Sequence, residues 1–227
     1  MSLRAIKPPH ETRTRILDAA EELFMQHGFE GTSMRLLTAK AGANLAAVNY
    51  HFGSKDALIE AVFRRRLDPM NAARIAELDR LEKDAGGRTL APEQIIRAFI
   101  GASLRMIEDA KGGGRNFIRL LGRTYTDPQK SIRALIGQLY APAMERFKAA
   151  FGRALPQMPA EELVWRMHFM FGTLAYTLAA TDTVQLIAGC KPEDRYDARL
   201  LEARLTAFLA AGLHAPLHAA ADVKKAA

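Results

Sequence analysis

Asn49, Tyr50, His51 and Lys55 lie close together in a stretch otherwise built mainly from alanine, leucine and glycine. An amide offers a donor and an acceptor side by side, which is what a base edge in the major groove of DNA asks of a side chain. A phenol, an imidazole and an ammonium suit phosphate oxygens, where they fix register without reading sequence. Upstream, Thr32, Ser33 and Arg35 add two hydroxyls and a guanidinium for the same use. Asn44 adds a second amide, Ala46 and Ala47 leave a helix free to approach a groove closely, and Leu45 beside them is a further candidate for DNA contact. This is the chemistry of holding a polyanion, not of catalysis. Taken singly, each residue has an ordinary alternative: Gly42 as a connector, Asn49 as a surface residue, Tyr50 as a core aromatic. The combination carries the reading.

The elements that must position these groups follow from the surrounding pattern. Thr32 and Ser33 precede Met34, Leu36 and Leu37, so a hydroxyl stands where the first free N–H groups of a helix need an acceptor. That helix should end near Ala41, because Gly42 reaches positive φ without steric cost and Asn44 then caps a new helix. In the second helix, Leu45, Val48 and Phe52 form the stripe expected to face a core, leaving Ala46, Ala47, Asn49 and Tyr50 outward. Ser54 should cap a further helix beginning beside Lys55, whose free N–H groups also attract anions. Before all of these, Ile16, Ala19, Ala20, Leu23 and Phe24 make a helical stripe that stops at Gly28, with Phe29 as a hydrophobic lock.

The run A-G-A-N-L-A-A-V-N-Y-H-F-G-S-K-D-A-L resembles the second half of the DNA-binding domain of TetR-type bacterial transcriptional regulators. That family's signature is a tyrosine, a phenylalanine two residues on and a lysine three beyond, here Tyr50, Phe52 and Lys55. Upstream, R-I-L-D-A-A-E-E-L-F-M-Q-H-G-F-E-G-T-S-M is similar to the family's first helix and the entry to its second. The resemblance covers about Arg13 to Phe63. It implies a head over residues 1–55 containing the helix-turn-helix, and a helical effector-binding and dimerisation domain over 56–227. It also implies double-stranded DNA as a partner, a palindromic operator, a small-molecule effector and a homodimer closed by the last two long helices.

The rest of the chain fits that frame. Its 227 residues are 49% hydrophobic and 25% charged, as in an ordinary globular protein. Periodicity is helical throughout, so the fold class is all-α. The formal net charge of +7 favours polyanions. Residues 1–66 hold ten Lys/Arg against seven Asp/Glu, so the surplus is spread and does not locate the site. Cys190 is the single cysteine, which excludes an intrachain disulfide and fits a reducing cytoplasm. The polar amino terminus and the absence of an apolar run of about 18 residues predict neither export nor a membrane span. No cofactor or metal is expected, and no H-E-x-x-H or G-x-S-x-G spacing supports an enzyme.

Four features of the body invite separate readings. Arg64, Arg65 and Arg66 read as a solvated face, in a helix from Ser54 to about Asp84 that Pro69 bends or ends. Gly112-Gly113-Gly114 read as a corner between helices, and Arg115, Arg119 and Arg123 as a row able to grip an anion or, more simply, as surface. His168 reads as a core histidine. Candidates to line an effector pocket are Phe99, Met106, Phe117, Leu121, Phe147, Trp165, Phe169 and Tyr176, a lining suited to an acyl chain. The alternative to a sensor is an architectural DNA-binding protein with no effector, which should have a filled body.

Overall fold

Four helix starts in this chain coincide with side chains that accept a free backbone N–H. Ser33 Oγ accepts from Leu36, Asn44 Oδ1 from Ala47, Ser54 Oγ from Ala57, and Asp197 Oδ1 from Arg199 and Leu200. The computed structural model describes residues 9–108, 114–124, 129–178 and 197–217. Nine helices form among them: α1 (Pro9–Gly31), α2 (Met34–Ala41), α3 (Leu45–Phe52), α4 (Lys55–Ala85), α5 (Pro92–Glu108), α6 (Gly114–Thr124), α7 (Lys130–Ala154), α8 (Ala160–Leu178) and α9 (Ala198–His214). No strand occurs among the described residues, so the all-α expectation holds. Residues 1–8, Gly112, Gly113, Cys190 and the side chains of Arg115 and Arg123 lie outside the described residues.

Two hydrophobic clusters organise the chain. The first joins Leu23, Phe24, Phe29, Leu37 and Val48 to Leu58, Val62 and Phe63 of α4, and continues past residue 55 to Phe117 of α6 and Ile136 of α7. A relay of rings marks its path, Phe24 to Phe29 at 5.2 Å, Phe29 to Phe63 at 5.9 Å and Phe63 to Phe117 at 5.8 Å between centroids. The second cluster is built from α5, α7, α8 and α9, with Phe99 against Phe147 at 5.1 Å and against Phe171 at 4.9 Å. Between α5 and α6 only glycine fits at 114, since a Cβ there would stand 2.0 Å from the Met106 carbonyl oxygen.

Helix α4 takes part in both clusters and is held at both ends of its middle. Pro69 lies inside it, so the carbonyl of Arg65 loses its helical donor. On the head side of Pro69, Arg65 pairs with Asp18 and Glu21, and Arg66 with Glu21, a carboxylate only 5% exposed. On the body side, Asn71 Nδ2 donates to the Leu139 carbonyl of α7 at 2.9 Å. The expectation of a solvated arginine face therefore fails for two of the three arginines, because a buried carboxylate on α1 draws them inward. Only Arg64 stays at the surface, paired with Glu60 along the helix.

At the far end, Arg166 of α8 is buried and pairs with Glu162 while donating to the carbonyls of Gly212, Leu213, Ala215 and Pro216. It satisfies acceptors that the end of α9 leaves free and so fixes that helix against α8. No helix among the described residues is long and apolar enough to cross a membrane.

Candidate nucleic-acid interface

The turn between α2 and α3 is locked from three sides. Gly42 adopts φ 58, ψ 38, a left-handed conformation that lets its N–H and that of Ala43 reach the Ala39 and Thr38 carbonyls. From α1, Arg15 Nε donates to the Ala41 carbonyl and Nη2 to that of Gly42, each at 3.1 Å. Lys40 at the end of α2 pairs with Glu22 of α1 at 2.6 Å. Its hydrogen bond holds the Glu22 carboxyl below the ordinary 4.5, against a smaller opposing effect of burial. Neither Arg15 nor the Glu22–Lys40 pair is recognisable in the sequence, because both join residues far apart in the chain.

Val48 alone anchors α3 fully, at 1% exposure, while Phe52 is half-buried beneath Arg13, whose guanidinium carbon lies 5.4 Å from the ring centroid. Leu45 does not join them. It is 52% exposed, so the packing of α3 rests on Val48 and Phe52, three and seven residues further on. The outward face is therefore Leu45, Ala46, Asn49 and Tyr50, with Tyr50 83% exposed and its ring edge-on to His51 at 5.1 Å. Asn44 is exposed but its Oδ1 caps α3, so its amide nitrogen is the part available to a partner. Ser33 and Arg35 are exposed at the start of α2, and Lys55 opens α4 half-buried beside the Ser54 cap.

Thr32 must be reassigned. It is 2% exposed and its hydroxyl donates to the Gly28 carbonyl at 2.8 Å, so it closes the α1–α2 turn and is not available to a phosphate.

The eight pocket candidates divide in the structure. Phe99, Phe117 and Phe147 are fully buried and packed edge-on against other rings, and Met106 fills space between the two clusters. Trp165, Phe169 and Tyr176 are 52%, 61% and 54% exposed on the outer face of α8, so they line no interior hollow of this subunit. His168 lies on that same face, exposed between Trp165 and Phe169, not in the core. Only Leu121 borders the body's internal hollow, of about 20 Å³, together with Arg74, Ser103, Phe171 and Leu174, which sequence reasoning passed over. A wider cleft of about 420 Å³ opens near Arg88, Arg146 and Arg153, but Glu82 engages the last two.

The geometry defines a helix-turn-helix head, with a locked turn and a bare outward helix face, carried on an all-helical body. Residues 16–62 match the family described as "Bacterial regulatory proteins, tetR family", and residues 97–212 match "Tetracyclin repressor-like, C-terminal domain". The chain belongs to the TetR family of bacterial transcriptional regulators. Among curated relatives, the HTH-type transcriptional repressor AcnR of Corynebacterium glutamicum is 37% identical over 78 residues, 34% of this chain and 39% of that protein. The HTH-type transcriptional regulator UidR of Escherichia coli K12 is 43% identical over 51 residues, 22% of this chain and 26% of its own length. The matched stretch thus spans well under half the length of these two curated relatives. Similar solved structures include FadR of Bacillus subtilis in complex with stearoyl-CoA, at TM-score 0.64 and 15% identity, covering 88% of this chain and 99% of that one. Salmonella enterica GusR matches at TM-score 0.62 and 17% identity over 92% and 99%. At these identities the likeness is one of fold.

Proposed function

We propose that the chain works as a homodimeric repressor that reads a palindromic operator and releases it when a small, largely apolar molecule enters the body. The observation that carries the reading is the outward face of α3, left without packing partners while the turn before it is fixed by Arg15 and Lys40. A reader needs that combination, since a groove-facing helix must be both bare and held at one angle. Asn49 and the Asn44 amide face bases; Ser33, Arg35, Tyr50, His51 and Lys55 take phosphates; Leu45 and Ala46 lie against the groove wall.

The dimer closes through α8 and α9, whose outer faces carry Trp165, Phe169, Tyr176 and Phe208. So large an apolar area is more than a lone subunit leaves in water. Two heads held in this way must sit about 34–36 Å apart to enter successive major grooves. Helix α4 is the lever between body and head, with Pro69, which takes away the helical donor to the Arg65 carbonyl, as the place to bend. A ligand acts by its differential affinity for the two spacings.

The architectural alternative draws on one observation, that the internal hollow has room for about one water. An effector must therefore move α8 to enter. Selection of bound sequences from a random duplex pool at two salt concentrations tests the reading. A recovered palindrome with steep salt dependence supports the dimeric repressor; recovery of no preferred sequence refutes it in favour of the architectural protein.

A further inference from the structure

Arg74 of α4 is 1% exposed, and a guanidinium keeps its charge inside proteins. Its Nε donates to the Phe99 carbonyl at 2.9 Å, Nη1 to Asn71 Oδ1 at 2.9 Å and Nη2 to Ser103 Oγ at 2.6 Å. Its central carbon lies 4.1 Å from the Phe99 ring centroid and 5.4 Å from that of Tyr140. All of these partners are neutral. Other arginines withdrawn from solvent in this chain meet a carboxylate: Arg65 and Arg66 meet Glu21, Arg146 meets Glu82 and Arg166 meets Glu162. Among the described residues no carboxylate reaches Arg74. Taking an ion out of water without a counter-ion is costly, and the remaining N–H groups of the guanidinium are what an arriving anion would use.

Arg74 also borders the internal hollow, and among the described residues it is the only charged one that does. Ser103 and Tyr140 are the polar neighbours; Leu121, Leu174 and Leu178 are among the apolar walls. We propose that Arg74 is the anchor for the carboxylate of a monocarboxylic amphiphile, whose hydrocarbon part takes the place lined by these leucines as α8 yields. A lone cation matches the single charge of a carboxylate, whereas a phosphate monoester would bring about −1.5 to −2 at pH 7 into the same apolar place. This assignment rests on the effector-responsive reading above. It also supplies the coupling, since Arg74 holds Asn71, Asn71 holds the Leu139 carbonyl of α7, and both lie just beyond Pro69 on α4.

The test uses the full chain with octanoate, decanoate, 1-octanol and methyl octanoate as probes, reading binding by calorimetry and release of the selected operator in parallel. The carboxylates should bind saturably, and 1-octanol and the ester about tenfold or more weakly, the loss expected for one hydrogen-bonded charge. Arg74→Met should abolish the preference, so that acid and alcohol bind alike. Should that variant fail to fold, the acid-to-alcohol ratio on the unaltered protein still decides. Leu178→Trp, which fills the hollow and leaves the arginine, should then remove carboxylate binding. Equal binding of acid and alcohol, or no binding of any probe, overturns the anchor. Carboxylate binding without operator release supports the anchor and refutes the effector reading. Release by acid and alcohol alike overturns the anchor and leaves the effector reading standing.

Discussion

Helices α3 and α8 both turn aromatic side chains to solvent, yet their surroundings differ. Tyr50 lies edge-on to the His51 imidazole, and Ala46, Asn49 and the lysine that opens α4 are its neighbours in the chain. Around Trp165 and Phe169 stand Val164, a histidine and further apolar surface. The first arrangement suits a hydrated, negatively charged partner approached through hydrogen bonds. The second suits a dry contact with another apolar face. Exposure alone assigns neither; the groups within reach of the ring do.

The comparison is broken most completely by removing what supports both surfaces. Phe63 lies at 0% exposure between Phe29 of the head and Phe117 of the body. Phe63→Ala should cost about 3–5 kcal/mol in urea unfolding and weaken both DNA binding and dimerisation. A loss confined to the head would mean that the ring relay does not couple the two parts. Next in size, Phe169→Asp should cost about 2 kcal/mol or more of dimer affinity, seen as a concentration-dependent monomer in light scattering, with unchanged helical content. Operator affinity should fall with it.

The contrast within the head is sharpened by two smaller changes. Asn49→Ala should relax preference at one base pair by about 1–3 kcal/mol, measured by competition between operators differing at that pair. A uniform loss over all sequences would move Asn49 to the phosphates. Lys55→Ala should weaken every sequence and reduce the salt slope by about one. The smallest effect is one of pH. Hydrogen bonds from Arg146 hold the Glu82 carboxyl below its ordinary 4.5, with Arg153 adding to the shift. A depressed carboxylate stabilises the fold above its unfolded value, and that contribution is lost as pH falls through the lower, folded value. Glu82→Gln should therefore flatten acid unfolding below about pH 4.5, by less than about 1 kcal/mol, without altering DNA binding.

The helix boundaries of the head were legible because capping is local: Ser33, Asn44 and Ser54 each act on an N–H three residues on. The face of α3 was half legible. Three apolar residues over two turns do not say which one the neighbours fail to reach, and Leu45 was that one. Helix α8 misled for a related reason. It is apolar on two faces, Leu163, Met167, Met170 and Leu174 inward and Trp165, Phe169 and Tyr176 outward, so periodicity could not separate core from surface. Thr32 and Arg74 were out of reach altogether, since their roles are set by the Gly28 carbonyl across a turn and by α5 across a gap in the chain.

The two hydrogen bonds from Arg15 bear on how the head folds. They cap the end of α2 with a donor from α1, so the turn that aims α3 is completed by a residue outside the helix pair it serves. A peptide containing only α2 and α3 lacks that donor and should be mostly unstructured. In the whole chain, the amides that close this turn should exchange with solvent water only as fast as α1 lifts away, which makes the reading head a single cooperative unit instead of a preformed motif attached to a scaffold.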